Sequence, residues 1–176
     1  MDTSKTDLTR PVAVVGTGDT VTARVLRRLI PHPVVELTPC QAAMEQDGGA
    51  RYRAVVVENF DRRDKNALSP CAAARWALSR RADVTVVGLD DGEGRRLAAQ
   101  SGLAVYAYSD GRPQANLTAK NVRLRGDRLE FEALTDGELL RVKLPAAQEP
   151  KLYDYLAALA GALAVGIPLE TAISRL

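Results

Sequence analysis

The stretch Val12–Ile30, VAVVGTGDTVTARVLRRLI, decides the fold. A short apolar, largely β-branched run ends at Gly16, a glycine- and threonine-rich turn follows, and Val21, Val25, Leu26 and Leu29 then recur at helical spacing. The pattern predicts a strand, a tight loop and a helix. In that arrangement backbone N–H groups at a helix N-terminus face phosphate oxygens. Gly16, Thr17, Gly18, Thr20 and Thr22 are the residues such a loop uses, but Asp19 stands where a phosphate-binding lysine belongs. A pair of unit charges about 4 Å apart interacts with about 4 kcal/mol at an effective dielectric of about 20. Exchanging that attraction for a repulsion weakens triphosphate binding by roughly a thousandfold or more. A structural role is open to the same residue, because aspartate suits a helix N-cap.

The same alternation continues along the chain. VVELT, from Val34, reads as a short strand, QAAMEQDGGAR as a helix or loop, and YRAVVVENF as a strand apolar enough to be buried on both faces. PCAAARWALSRR follows as a helix with Pro70 near its start, then ADVTVVGL as a strand, DGEGRRLAAQS as a helix and LAVYAYS as a strand. Strands alternating with helices predict an α/β fold with a doubly wound, mostly parallel sheet. From Asn116 to Pro145 the pattern changes to apolar–polar alternation broken at GD and DGE, an antiparallel extension whose outer face carries Arg123, Arg125, Arg128, Glu130 and Glu132. The chain ends in a long apolar helix, a stop at Gly166 and a short helix beginning near Pro168, a C-terminal helix pair. Residues 1–10 read as a flexible N-terminus and 11–176 as a single domain.

Bulk properties narrow the function. With 46% hydrophobic and 26% charged residues and a net charge of +2, the sequence carries no nucleic-acid footprint. The first ten residues lack an apolar signal region, and the longest apolar stretch, Leu156–Ile167, is shorter than the roughly 20 residues of a membrane-spanning helix. The expectation is a cytoplasmic protein with no nucleic-acid or membrane partner. Cys40 and Cys71 have no metal-ligand or redox spacing, and the single histidine, His32, sits in a turn between Pro31 and Pro33, which excludes a catalytic triad or a multi-histidine metal site. Arg24, Arg27 and Arg28, with Arg80 and Arg81, read as solvated helix faces or as charges complementing helix C-termini before they read as an anion site.

Taken in order, several segments resemble one family. VAVVGTGDTVTARVL, ADVTVVGLDDGEGRRLAAQ, VRLRGDRLEFEAL, LRVKLP and LYDYLAALAGALAVGIPLETAISRL together resemble the central ATPase domain of the Mur ligases, which add amino acids to the peptidoglycan precursor. Folylpolyglutamate synthases share that domain. The resemblance runs from about Arg10 to Leu176 and implies a P-loop-type fold with ATP and magnesium as the family's cofactors. It places cofactor-binding positions at Gly16, Thr17, Gly18, Asp19, Thr20, Asp90 and Asp91, and a magnesium-binding glutamate at Glu58.

Residue by residue, the resemblance also implies loss. The P-loop lysine falls at Asp19, with one loop residue deleted. The serines beside the magnesium glutamate become Asn59 and Phe60, and the segment bearing the family's Asp-His-Leu-Asp motif is missing. The carbamylated-lysine position falls at about Ala73, the nucleotide-proximal asparagine at Gly88, and the family's Gly-x-His-Asn stretch at Gln148–Lys151. The sites that remain are vestigial on this reading: no catalytic residue and no cofactor are expected, and the balance speaks against an enzyme. The resemblance further implies that the flanking substrate and lid domains of a Mur ligase have no room in 176 residues. The expected function is a noncatalytic, pseudoenzyme role through binding of a protein partner or a second copy, connected with cell-wall peptidoglycan synthesis. The alternatives are a module binding a nucleotide or muramyl precursor without hydrolysis, with Glu58, Asp90 and Asp91 as a carboxylate cluster able to hold magnesium, or a ligase subunit completed in trans.

Overall fold

The computed structural model describes residues 8–16, 20–38, 41, 51–58, 77–100, 102–145 and 152–176. Eight strands form one sheet in the order β2-β1-β3-β4-β5-β6-β7-β8: β1 (Val12–Val15), β2 (Val34–Leu37), β3 (Tyr52–Val57), β4 (Ala82–Gly88), β5 (Val105–Asp110), β6 (Leu117–Arg125), β7 (Arg128–Thr135) and β8 (Glu138–Pro145). All pairs through β5–β6 are parallel, and β6–β7–β8 is antiparallel. The α/β fold with a mostly parallel sheet and an antiparallel extension is therefore as the sequence predicts. One detail is new. The extension is continuous with the parallel sheet, because β6 begins parallel to β5 with Tyr108 beside Leu117.

Both faces of the parallel part are covered. Helix α1 (Val21–Leu29) buries Ala23, Val25, Leu26 and Leu29 on the face that presents Val12, Val14, Ala54 and Val56. Helix α2 (Gly92–Ala98) buries Leu97 on the opposite face with Ala13, Val15, Val55 and Val57. The strict alternation in β1 follows from the two-residue period of a strand.

Helix α3 (Leu152–Ala164) is apolar nearly all round, since it packs on α1 and on the sheet together. Its small residues permit that approach. A Cβ on Gly161 would lie 3.0 Å from Val56 Cγ2 and 3.2 Å from Leu26 Cδ1. The helix stops at Gly166, whose φ of 94° is a left-handed backbone conformation that glycine accepts at little cost, and α4 (Leu169–Ser174) begins after Pro168. Among the described residues no helix is long and apolar enough to cross a membrane.

At the N-terminal edge of the sheet, Arg10 grips Asp83 with both guanidinium nitrogens, at 2.9 and 2.6 Å, and Arg53 adds a third contact at 2.9 Å. This fork ties the segment before β1 to β3 and β4. His32 is buried nearby, with Nδ1 3.2 Å from the Arg10 carbonyl oxygen. The helix or loop expected over Gln41–Arg51 lies almost wholly outside the described residues, as does most of the helix expected over Pro70–Arg81, of which residues 77–79 are helical. Cys40 and Cys71 also lie outside them.

Candidate functional site

The site predicted from the loop lies at the carboxyl end of β1, where open α/β sheets bind ligands. Parallel pairing sets Val15 beside Val57, so Gly16 and Glu58 leave their strands side by side, and the Glu58 N–H donates to the Val15 carbonyl at 3.2 Å. The Glu58 carboxylate lies directly over Gly16. A Cβ at position 16 would stand 1.9 Å from Oε2, so the family's loop glycine here accommodates a carboxylate of the same chain.

Helix α1 starts one residue later than an Asp19 cap requires. Its N-cap is Thr20, whose Oγ1 accepts the Ala23 N–H at 3.2 Å. Thr17, Gly18 and Asp19 lie outside the described residues. The backbone N–H of Thr20, a donor of the kind a P-loop aims at phosphate, donates instead to Glu36 Oε2 at 3.0 Å. Arg27 of α1 binds the other oxygen of the same carboxylate. Burial pulls Glu36 upward, but the Thr20 N–H and the Arg27 guanidinium outweigh it and hold the carboxyl below the usual range. Glu36 therefore stays ionised at neutral pH and acts as an anion supplied by the chain itself. Sequence reasoning missed it. The available signal was a lone acid in the apolar strand VVEL, next to β1.

Glu58 is in the opposite electrostatic state. Burial, its largest influence, raises its carboxyl above the usual range, and Asp154 and Glu36 push the same way. The hydroxyls of Thr22 and Thr20 lie close enough to pull it partly back. Even so, Glu58 Oε1 and Thr22 Oγ1 are both buried without a hydrogen-bond partner among the described residues.

The other two predicted acids have structural partners. Asp91 caps α2 by accepting the Gly94 N–H. Asp90 turns toward the end of β5, where it accepts from Ser109 Oγ and from the Asp110 N–H, each at 2.7 Å, and meets Arg112 Nε at 3.3 Å. Burial and the neighbouring carboxylates of Asp90 and Asp110 push the Tyr153 phenol up to about 12. Tyr108 lies fully buried between the two regions, its hydroxyl 3.4 Å from the Val57 carbonyl, and its phenol is raised first by burial and then by Asp91, Glu58, Asp154 and Asp90.

The expected magnesium cluster of Glu58, Asp90 and Asp91 does not assemble. Among the described residues no three His, Cys, Asp or Glu side chains converge to hold a metal ion. The reason is local, since Asp90 and Asp91 spend their oxygens on β5 and on the first turn of α2. Glu58 and Thr22 offer two oxygens, and magnesium commonly takes one or two protein ligands beside its own waters and substrate phosphates. At the start of α1 the Thr20 N–H is already engaged by Glu36. Asn59, Phe60, Ala73 and Gln148–Lys151, the other positions aligned with family site residues, lie outside the described residues, and Gly88 ends β4.

No family model and no curated protein matches the chain. Solved structures do. The ligase of Acinetobacter baumannii named for UDP-N-acetylmuramoylalanyl-D-glutamyl-2,6-diaminopimelate and D-alanyl-D-alanine is similar over 97% of this chain and 46% of its own, at 16% identity and a TM-score of 0.79. A UDP-N-acetylmuramoyl-L-alanyl-D-glutamate–2,6-diaminopimelate ligase is similar over 94% and 45%, at 15% identity and a TM-score of 0.80. The folylpolyglutamate synthetase of Lactobacillus casei is similar over 96% and 62%, at 9% identity and a TM-score of 0.69. The chain thus has the fold of the Mur ligase central domain and spans about half the length of the Mur ligases it matches.

Proposed function

We propose that this chain is a noncatalytic, Mur-ligase-like protein that acts by binding another protein, in the assembly of the muramoyl peptides for which its structural neighbours are named. One observation carries the reading. The Thr20 N–H at the start of α1 is engaged by the Glu36 carboxylate at 3.0 Å, so a donor suited to phosphate is already satisfied by an ionised group of the same chain. An incoming phosphate must displace Glu36 from both Thr20 and Arg27, and the sequence carries Asp19 at the position where the resemblance places a lysine. Phosphoryl transfer relies on positioned cations, and of the three acids expected there Asp90 and Asp91 are engaged by β5 and by the first turn of α2.

The test is calorimetric titration of the wild type and of Asp19→Lys with ATP and magnesium, with turnover assayed on a muramoyl acceptor. The reading expects no binding heat and no turnover from the wild type. ATP-dependent ligation by the purified chain would overturn it.

A second reading has its own observation. The unpartnered Glu58 Oε1 and Thr22 Oγ1 favour a module that binds a nucleotide or muramyl precursor without hydrolysis. That reading expects wild-type thermal stability to rise with millimolar ligand, by about 2.7 kcal/mol at 100 times the dissociation constant. Silence to both ligands would overturn this second reading.

A further inference from the structure

We infer that the open edge of β8 receives an extended strand from a partner protein, in antiparallel pairing, with acidic residues two apart followed by an apolar residue. The inference rests on the protein-binding reading above and names the surface and the partner chemistry.

The backbone geometry comes first. Asp136 and Gly137, with φ of 43° and 83°, form a two-residue turn that closes the β7–β8 hairpin at the pair Thr135 and Glu138. Hydrogen-bonded and non-hydrogen-bonded pairs alternate from that closing pair. Leu140, Val142 and Leu144 therefore turn their backbone groups toward β7, while Leu139, Arg141 and Lys143 turn theirs outward. Among the described residues β8 is the last strand of the sheet, and all three outward residues are exposed. Such an edge is a template for strand addition.

The side chains on the outer face then specify the occupant. Register aligns three rows across the extension. Lys120, Glu132 and Arg141 form one row, and Arg123, Glu130 and Lys143 the next. Thr118, Leu134 and Leu139 form the third. Two rows run basic, acidic, basic, and each ends at the open edge on a base. No ion pair within the described residues engages Arg141 or Lys143. A further strand that continues the alternation presents acids to Lys143 and Arg141 and an apolar residue to Leu139, which is 49% exposed. Read in its own direction, an antiparallel partner is Glu-x-Glu-x-Leu, the alternation that β7 presents to β8 from the other side as Glu130, Glu132 and Leu134.

A second copy of this chain is a poorer occupant. Antiparallel self-pairing centred on Arg141 or on Val142, the registers that engage most of the strand, sets Arg141 against Arg141 or against Lys143. Like charges directly opposite are destabilising.

The test is fluorescence anisotropy of a labelled peptide bearing Glu-x-Glu-x-Leu, titrated with the whole chain, beside its charge-inverted form bearing Lys-x-Lys-x-Leu. Binding at least tenfold tighter for the acidic peptide, weakening with added salt, supports the inference. Arg141→Glu combined with Lys143→Glu should reverse the preference, and Lys143→Pro, which removes an outward N–H and no ladder bond, should weaken binding at least tenfold. The wild type against the two peptides decides the question even if the variants fold poorly. Absent binding, equal binding of both peptides, or self-association of the chain through β8 in sedimentation overturns it. Calorimetry with ATP separates the two claims. Nucleotide silence without peptide binding sinks the edge alone, while nucleotide-dependent ligation sinks the functional reading and leaves the peptide result standing.

Discussion

Gly16 and Glu58 occupy one space: the carboxylate of Glu58 lies where a side chain at position 16 would begin, with Oε2 only 1.9 Å from the site of a Cβ. In a working phosphate loop such a glycine lets backbone approach an external anion. Here it lets the chain's own carboxylate approach the backbone. Together with Glu36 on the Thr20 N–H, two internal acids reach the start of α1.

Glu58→Gln should stabilise the protein in a pH-dependent way. The folded-state carboxyl is raised above its unfolded value, so its contribution is fully present below the unfolded pKa, near 4.5, and is lost as pH rises through the folded value. The amide has no such loss. Thermal melts should therefore show little gain at pH 4 and a gain at pH 8 of about 1 kcal/mol, or roughly 2–4 °C. An equal gain at both pH values would show that ionisation of Glu58 is not what burial penalises.

Asp83→Asn should act with the opposite sign. The Arg10 guanidinium beside Asp83, helped by Arg53 and only partly offset by burial, holds its carboxyl below the usual range. That stability is present above the unfolded pKa, near 3.8, and is lost as pH falls through the folded value. The variant should lose about 0.5–1 kcal/mol at pH 7, after allowance for solvent screening. Its deficit against the wild type should shrink in melts taken progressively below pH 4. A deficit unchanged by acid would assign the effect to lost packing.

Glu36→Ala should leave the Thr20 N–H and the Arg27 guanidinium without their acceptor. The expected cost is about 1 kcal/mol in denaturant unfolding at neutral pH, characteristic of a lost charge-assisted hydrogen bond at a helix N-terminus. If Glu36 also excludes phosphate from this terminus, the variant combined with Asp19→Lys should bind ATP measurably more tightly than Asp19→Lys alone. Identical affinities would show that the exclusion lies elsewhere.

How much of this was legible depends on the range of the interaction. β1, its loop and α1 follow from local periodicity, and the stop at Gly166 follows from glycine's access to positive φ. Those signals lie within a few residues. The partners of Glu36 and the hydroxyls beside Glu58 come from the start of α1 and those of Asp90 from the end of β5, brought together by parallel registers such as Val14 beside Glu36 and Val15 beside Val57. A sequence reading can place three acids at strand ends, but not tell that Asp90 faces β5 while Glu58 faces Gly16. Parallel pairing of β6 with β5 was hidden for the same reason, because a strand's own alternation does not name its neighbour.

Gly94 and Gly92 provide the sharpest test of packing at the carboxyl end of β4. A Cβ on Gly94 would lie 1.8 Å from the carbonyl oxygen of Gly88 and 3.3 Å from the capping Asp91 Oδ1, whereas one on Gly92 would meet nothing closer than Arg95 Nη2 at 4.0 Å. The first obstacle is backbone, which cannot swing aside as a side chain does. Gly94→Ala must therefore push the first turn of α2 away from β4 and loosen the Asp91 cap, at a cost of about 1–3 kcal/mol. Gly92→Ala faces no such clash and gains helix propensity of up to about 1 kcal/mol. Chemical denaturation of the two variants should move in opposite directions. Should both prove neutral, α2 would not rest on β4 as closely as the Gly88–Gly94 contact requires, and the placement of Asp90 and Asp91 beside it would need revision.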